Sequence, residues 1–182
     1  DFVAITFAKI FDIPKKKAIK IEKIKHNSIV EQDWYILDQY IGTSEEDSLI
    51  EFIKSHIGNI KDKYDECYLL RNEEVYKIYD FKTGKGFQPD FILFLKSKEN
   101  QNLSYQVFIE PKGDGSKDIN AEFTLSKEGW KEEFLSEISK RYGDTELLSA
   151  QNKDYKLIGL PFYNVKCKNV FGDALSKTLE LK

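Results

Sequence analysis

The sequence predicts an α/β fold, a mixed sheet held between helices, and three observations predict it. From residue 44 onward, segments of helical and strand-like spacing follow in the order helix, antiparallel strands, helix, strand. Phe91-Ile-Leu-Phe-Leu95 is a continuous apolar run, as expected of a central strand covered on both faces. The strand at 105–110 is followed by a helical stretch and then by the strand at 155–160. That connection is long enough for a parallel, right-handed crossover.

The elements follow in chain order. Residues 1–41 alternate apolar and charged positions, most clearly in Ala18-Ile-Lys-Ile-Glu22. They read as an N-terminal β-rich lobe or a connection to something upstream, with residues 42–182 as the second unit. The lysines at 15, 16, 17, 20, 23 and 25 suit either phosphate contact or a solvated strand face. Thr43-Ser44 opens a helix, with Ser44 as N-cap and Asp47 as the acid of a capping box. Leu49, Ile50, Ile53, Ile57 and Ile60 recur at helical spacing to about residue 61. Glu46 falls near the middle of that apolar stripe and Glu51 on the opposite side.

Residues 67–70 and 75–80 read as strands, and the glycines of 82–86 mark a turn. A polar loop at 96–104 leads to the strand at 105–110, a second amphipathic helix at 127–142 and a last strand at 155–160.

Composition bounds the function classes. Hydrophobic residues make up 41% and charged residues 32% of 182, which fits a folded domain rather than a disordered chain. No apolar run approaches the roughly 18 residues of a membrane span, and the first residues lack the marks of a signal peptide. No membrane partner is expected. The absence of Met, even at position 1, suggests a piece of a longer polypeptide. Cys67 and Cys167 lie far apart with no second Cys near either. That excludes a dense disulfide framework or a zinc site and suits a reducing cytoplasm. A formal net charge of −3 argues against a bulk electrostatic binder of nucleic acid but allows a local basic patch.

The chemistry-bearing residues gather at strand ends. Pro89-Asp90 opens one central strand and Glu110-Pro111-Lys112 closes the next. Side chains alternate along a strand, so Glu110 and Lys112 share a face about 7 Å apart, and a neighbouring strand about 4.8 Å away lets Asp90 converge on Glu110. Two carboxylates and the carbonyl of Pro111 form a hard oxygen set suited to Mg²⁺, with Mn²⁺ as a substitute. The ion would polarise a phosphodiester, and Lys112 would orient water or neutralise developing charge. Asp90, Glu110 and Lys112 are the candidate catalytic residues. Glu46 is a further candidate ligand, with Glu45 beside it as the alternative. Lys127, Lys131 and Arg71 are candidate DNA contacts, although lysines on an apolar helix face commonly snorkel to solvent and Arg71 could equally pair charges around a turn.

Several segments together resemble the PD-(D/E)XK nuclease superfamily. Within it they resemble the C-terminal endonuclease domain of the restriction subunit of type III restriction-modification enzymes. The resemblance rests on Gly42-Thr-Ser-Glu-Glu46, Tyr68-Leu-Leu-Arg-Asn-Glu73, Gly86-Phe-Gln-Pro-Asp-Phe-Ile-Leu-Phe94, Tyr105-Gln-Val-Phe-Ile-Glu-Pro-Lys-Gly113 and Trp130-Lys-Glu-Glu-Phe-Leu135. It implies an αβββαβ core and Mg²⁺-dependent cleavage of double-stranded DNA. It also implies a helicase or translocase motor in the same polypeptide and a methyltransferase (modification) subunit as partner; the cysteine usage already points to a cytoplasmic location. Asp90, Glu110 and Lys112 match the motif of that family. No Gly-x4-Gly-Lys-Ser/Thr loop is present, so ATP is expected only at a motor outside this chain. The alternatives are a repair or junction nuclease, and a catalytically silent nuclease-like module that binds DNA or docks a partner.

Overall fold

The computed structural model describes residues 32–35, 43–72, 76–79, 83–113, 128–145, 147–150 and 153–181. The first helix, α1 (Ser44–Lys63), begins one residue earlier than its sequence suggests. Thr43, not Ser44, is the N-cap, and Glu46, not Asp47, completes the capping box. The Thr43 hydroxyl accepts the Glu46 N–H at 3.4 Å, and Glu46 Oε2 accepts the Thr43 N–H at 2.7 Å. The reason is reach: the longer Glu side chain returns to the cap N–H, the pairing a capping box requires. Acids in the first turn and Lys61 and Lys63 in the last both complement the helix dipole. Leu49, Ile50, Ile53 and Ile60 are fully buried, and Glu51 faces solvent as the spacing predicts.

The chain passes directly into β1 (Tyr64–Arg71), the edge of a five-stranded sheet. The other strands are β4 (Phe91–Ser97), β5 (Leu103–Ile109), β6 (Leu148–Ala150) and β7 (Lys153–Gly159), in the spatial order β1-β4-β5-β7-β6. Neighbours are antiparallel except β5 and β7, which run parallel as the long connection between them permits. The architecture is mixed α/β. Residues 76–79, expected as part of a sheet strand, instead supply β2 (Ile78–Tyr79), which pairs with β3 (Gly86–Phe87) in a separate two-stranded ribbon. Gly84 takes φ +70° in the connecting turn, a conformation that glycine adopts without steric cost.

Each face of the sheet has its own core. Phe91, Leu93, Leu95, Val107 and Ile109 face α1 and the C-terminal helix, while Ile92, Phe94, Phe108 and Leu157 face the helix that begins at Gly129 and the ribbon. All five residues of Phe91–Leu95 are buried, so the continuous apolar run is a two-sided strand. Each such side chain contributes about 1.5–3 kcal/mol of burial. The helix expected over 127–142 is α2 (Gly129–Ile138), which continues as a π-helical segment through Thr145. Gly159 lets α2 close on β7: a Cβ there would stand 2.3 Å from the Leu135 carbonyl oxygen. Ser139 Oγ completes the contact, donating to the Gly159 carbonyl at 2.8 Å and accepting its N–H at 2.7 Å.

Beyond residue 160, where the sequence offered no expectation, a short 3₁₀ turn (Val165–Cys167) leads into α3 (Lys168–Leu179). Phe171, Leu175 and Leu179 recur every four residues and are fully buried against α1 and the sheet.

Of residues 1–41, only 32–35 are described. Trp34 and Tyr35 pack into the principal core, and the Trp34 carbonyl accepts the Leu69 N–H at 2.7 Å. The strands expected in residues 1–31, with their lysines, lie outside the described residues, as does Lys127. Cys67 is buried and Cys167 half-buried, both as free thiols, and burial pushes the Cys67 thiol up to about 12. No helix among the described residues is long and apolar enough to cross a membrane.

Candidate active site

Two strand tips make the site. The antiparallel register pairs Phe91 with Ile109, so Asp90 and Glu110, one residue beyond each, stand opposite one another. Proline sits next on both sides, Pro89 before Asp90 and Pro111 after Glu110. Neither has an N–H with which to continue the ladder. The Asp90 N–H turns instead to Glu110 Oε2 at 3.2 Å. Asn72, just after β1, secures the corner. Its backbone N–H donates to the Asp90 carbonyl at 2.8 Å, and its side-chain amide donates to the carbonyls of Pro89 and Tyr76.

The other tip is held from the far side. Tyr163 bridges Pro111 in parallel: its N–H donates to the Glu110 carbonyl at 3.0 Å, and its carbonyl accepts the Lys112 N–H at 2.8 Å. Asn164 Nδ2 donates to the Lys112 carbonyl at 2.7 Å. Tyr163 is tied in turn to α1, its hydroxyl lying 2.8 Å from Ser48 Oγ. The Pro111 carbonyl is left without a hydrogen bond among the described residues.

The side chains converge as strand alternation predicts. Glu110 is 1% exposed, and its Oε1 accepts from Lys112 Nζ at 2.8 Å and from Lys131 Nζ at 3.1 Å. Both lysines also donate to Glu128, the residue that opens α2, Lys131 at 3.0 Å. Aromatic rings set the ammonium positions, with Lys112 Nζ 5.3 Å from the Phe162 ring centroid and Lys131 Nζ 5.7 Å from that of Phe87. Burial opposes the charge on Lys112, but its hydrogen bonds to Glu110 and Glu128 win and hold its pKa above the ordinary value. Bonds from the same two lysines hold Glu128 below the ordinary carboxylate value.

Buried Glu46 and half-buried Arg71 form a second ion pair. Arg71 Nε donates to Glu46 Oε1 at 3.2 Å, while Oε2 keeps its place in the capping box. Arg71, a candidate DNA contact from sequence, is thus engaged with a carboxylate. Of the two adjacent acids, Glu46 is the buried one, and its charge reaches Asp90. Glu45 lies beside Gly113, its Oε1 3.0 Å from where a Cβ on that glycine would stand.

Asp90 is the odd member. Glu46, Glu110 and Glu128 balance Arg71, Lys112 and Lys131, whereas the Asp90 carboxylate accepts no hydrogen bond from any described residue. Burial, and then the charges of Glu110 and Glu46, push it up to about 7, with Lys112 and Lys131 acting in the other direction. An added cation would relieve that cost.

Among the described residues no three His, Cys, Asp or Glu side chains form a metal-holding group. Mg²⁺, however, is commonly held by one or two carboxylates, with water and substrate oxygens completing its shell. Asp90, Glu110 and the carbonyl of Pro111, which no described residue bonds, fit that smaller demand. Glu128 was not singled out from the sequence, although its spacing of three from Lys131 signals a helical ion pair. Tyr163 and Asn164, which fix the Glu110–Lys112 backbone, carry no local signal.

The family model HI_1054_C, a C-terminal domain, matches residues 1–178. The chain is similar to an uncharacterised protein of Haemophilus influenzae, 43% identical over 168 residues. The match covers 88% of this chain and 35% of that protein, so the chain spans about a third of its relative's length. No solved structure matches the chain.

Proposed function

This chain belongs to the HI_1054_C family of C-terminal domains, and we propose that it is a metal-dependent endonuclease domain that hydrolyses phosphodiester bonds of duplex DNA. The observation that carries the reading is Asp90. A partly buried carboxylate that accepts no hydrogen bond among the described residues is set against Glu110, with a cationic lysine two residues further along the same strand tip. Charge left uncompensated inside a fold is costly, and such places are enriched at functional sites. The order α1, β1, β4, β5, α2, β7 also supports a PD-(D/E)XK-type core, the αβββαβ arrangement implied by the sequence resemblance.

The residues divide the work as follows. Asp90, Glu110 and the Pro111 carbonyl would hold Mg²⁺ or Mn²⁺, with Glu46 shaping the field behind Asp90 rather than reaching the ion, since Arg71 and the α1 cap occupy its oxygens. The ion, when bound, supplies a Lewis acid that polarises the phosphate and acidifies water. Lys112 is held as an ammonium by its carboxylate neighbours, so it serves as a hydrogen-bond donor and a positive charge at the phosphate rather than as a base. Lys131 stands beside it as a second donor. Cleavage of DNA by a type III restriction enzyme, with a motor and a modification subunit elsewhere, is the fuller form of the proposal. A relative about three times the length of the matched region is compatible with a cutting module carried on a larger polypeptide.

One observation favours the silent-module alternative: Lys112 and Lys131 are both already satisfied by carboxylates. Plasmid nicking by the purified chain in Mg²⁺ or Mn²⁺, beside Asp90→Ala and Lys112→Ala, separates the two. Nicking by the wild type, lost in both variants, supports the nuclease. If none nicks and calorimetry shows no Mn²⁺ binding that depends on Asp90, the silent module is the better reading.

A further inference from the structure

From the ring of charges around Lys112 and Lys131 we infer that the two lysines form an anion subsite, and that Glu128 is its built-in occupant, a carboxylate that a phosphate group of the substrate must displace. The inference deepens the nucleic-acid reading above and, in naming a phosphodiester as the displacing anion, rests on it.

The geometry is that of a clamp. Lys112 from the end of β5 and Lys131 from the first turn of α2 meet at two carboxylates, each lysine donating to both. The carboxylates are not equivalent. The Glu110 side chain is 2% exposed and that of Glu128 49% exposed. Glu110 cannot leave without stranding a buried charge, which is costly. Glu128 can swing into water at the small cost of two exposed ion pairs.

Its place in the helix points the same way. Glu128 is the N-cap of α2, yet its side chain caps no backbone N–H. Its carboxylate is turned from the helix start to the lysines. Phe162 and Phe87 lie against the two ammonium groups, so the lysines would keep their places when Glu128 departs. What remains is a pair of positioned donors on the side where Glu128 meets solvent, the arrangement that charge-assisted recognition of a phosphate uses.

The experiment measures binding, not cutting. A short fluorescent DNA duplex is titrated by anisotropy in EDTA against the wild type, Glu128→Gln and the double variant Glu128→Gln with Lys131→Gln. Pyrophosphate is titrated against the same proteins by calorimetry. Glu128→Gln keeps the side-chain shape, and its unfolding temperature is compared with wild type to establish that it is folded. The expected result is about fivefold tighter duplex binding by Glu128→Gln, the value of releasing the competing exposed ion pairs, with most of that gain lost in the double variant. A gain for pyrophosphate without any binding of duplex keeps the anion subsite and removes DNA as its ligand. Equal or weaker binding of both probes by Glu128→Gln overturns the inference, even if the wild type proves to be a nuclease.

Discussion

Asn at position 90 should make the metal-free protein more stable. The Asp90 carboxyl rises from 3.8 to about 7 through burial and the charges of Glu110 and Glu46. For an acid raised on folding, the sign is fixed. Its contribution to stability is fully present below about pH 4, and is lost as pH climbs through about 7. At about 1.4 kcal/mol per pH unit, the full difference is about 4 kcal/mol. Asp90 keeps partial contact with water, and screening reduces this to on the order of 2 kcal/mol. For a domain of this size that corresponds to about 4–8 °C in Tm.

The assay is thermal unfolding in EDTA from pH 4 to pH 8 for wild type and Asp90→Asn. The variant should melt higher at pH 8, and the gap should close towards pH 4. In Mn²⁺ at about a hundred times its Kd, the wild type alone should regain about 2.7 kcal/mol. An Asp90→Asn protein that melts at or below wild type in EDTA at pH 8 would refute the claim that this carboxylate is held at a cost.

Other expectations are narrower. Lys112→Ala should lower the nicking rate by about a hundredfold or more, the scale of losing a positioned donor at a developing charge, as read from supercoiled plasmid over time. Asn72→Ala leaves the Tyr76 N–H and the Pro89 and Tyr76 carbonyls without their side-chain partner, and should cost about 1–3 kcal/mol in urea unfolding. Gly159→Ala sets a methyl group against the Leu135 backbone, which has no flexible end to yield. A loss of about 1–3 kcal/mol is expected, and a melting curve unchanged from wild type would contradict the packing described for α2 and β7. Dithionitrobenzoate should label Cys167 well before Cys67, whose thiol is buried and pushed up to about 12; mass spectrometry of the labelled peptides gives the order.

Much of this architecture is legible in the sequence because it is written in local periodicity. Leu49 to Ile60 announce α1 by their spacing, and Phe91–Leu95 announce a two-sided strand by their continuity. Asp90, Glu110 and Lys112 can be brought together on paper because strand alternation and strand spacing alone set their distances. What is not legible depends on contacts across the chain. The capping box of α1 shifts by one residue because the reach of Glu46 decides it, not the spacing of hydrophobics. The strand expected near residue 78 leaves the main sheet because its partner is Gly86–Phe87, a choice no single segment reveals. The helix α3 has the plain signature of Phe171, Leu175 and Leu179, which sequence reading could have caught. The pairing of Arg71 with Glu46, and of Lys112 with Glu128, joins residues 25 and 16 positions apart, and no pattern in either segment requires it.

The two prolines at the strand tips also limit what the site can become. A strand pair that ended in ordinary residues could lengthen by one or two backbone hydrogen bonds whenever the chain relaxed, drawing Asp90 and Glu110 into the sheet. Pro89 and Pro111 remove the donors such lengthening would use, so the fork between β4 and β5 cannot zip shut. The end of the ladder is therefore a covalent property of the chain, maintained whatever the side chains around it are doing. Replacing either proline would leave all four carboxylates and all three cations in the sequence while allowing the space between them to close.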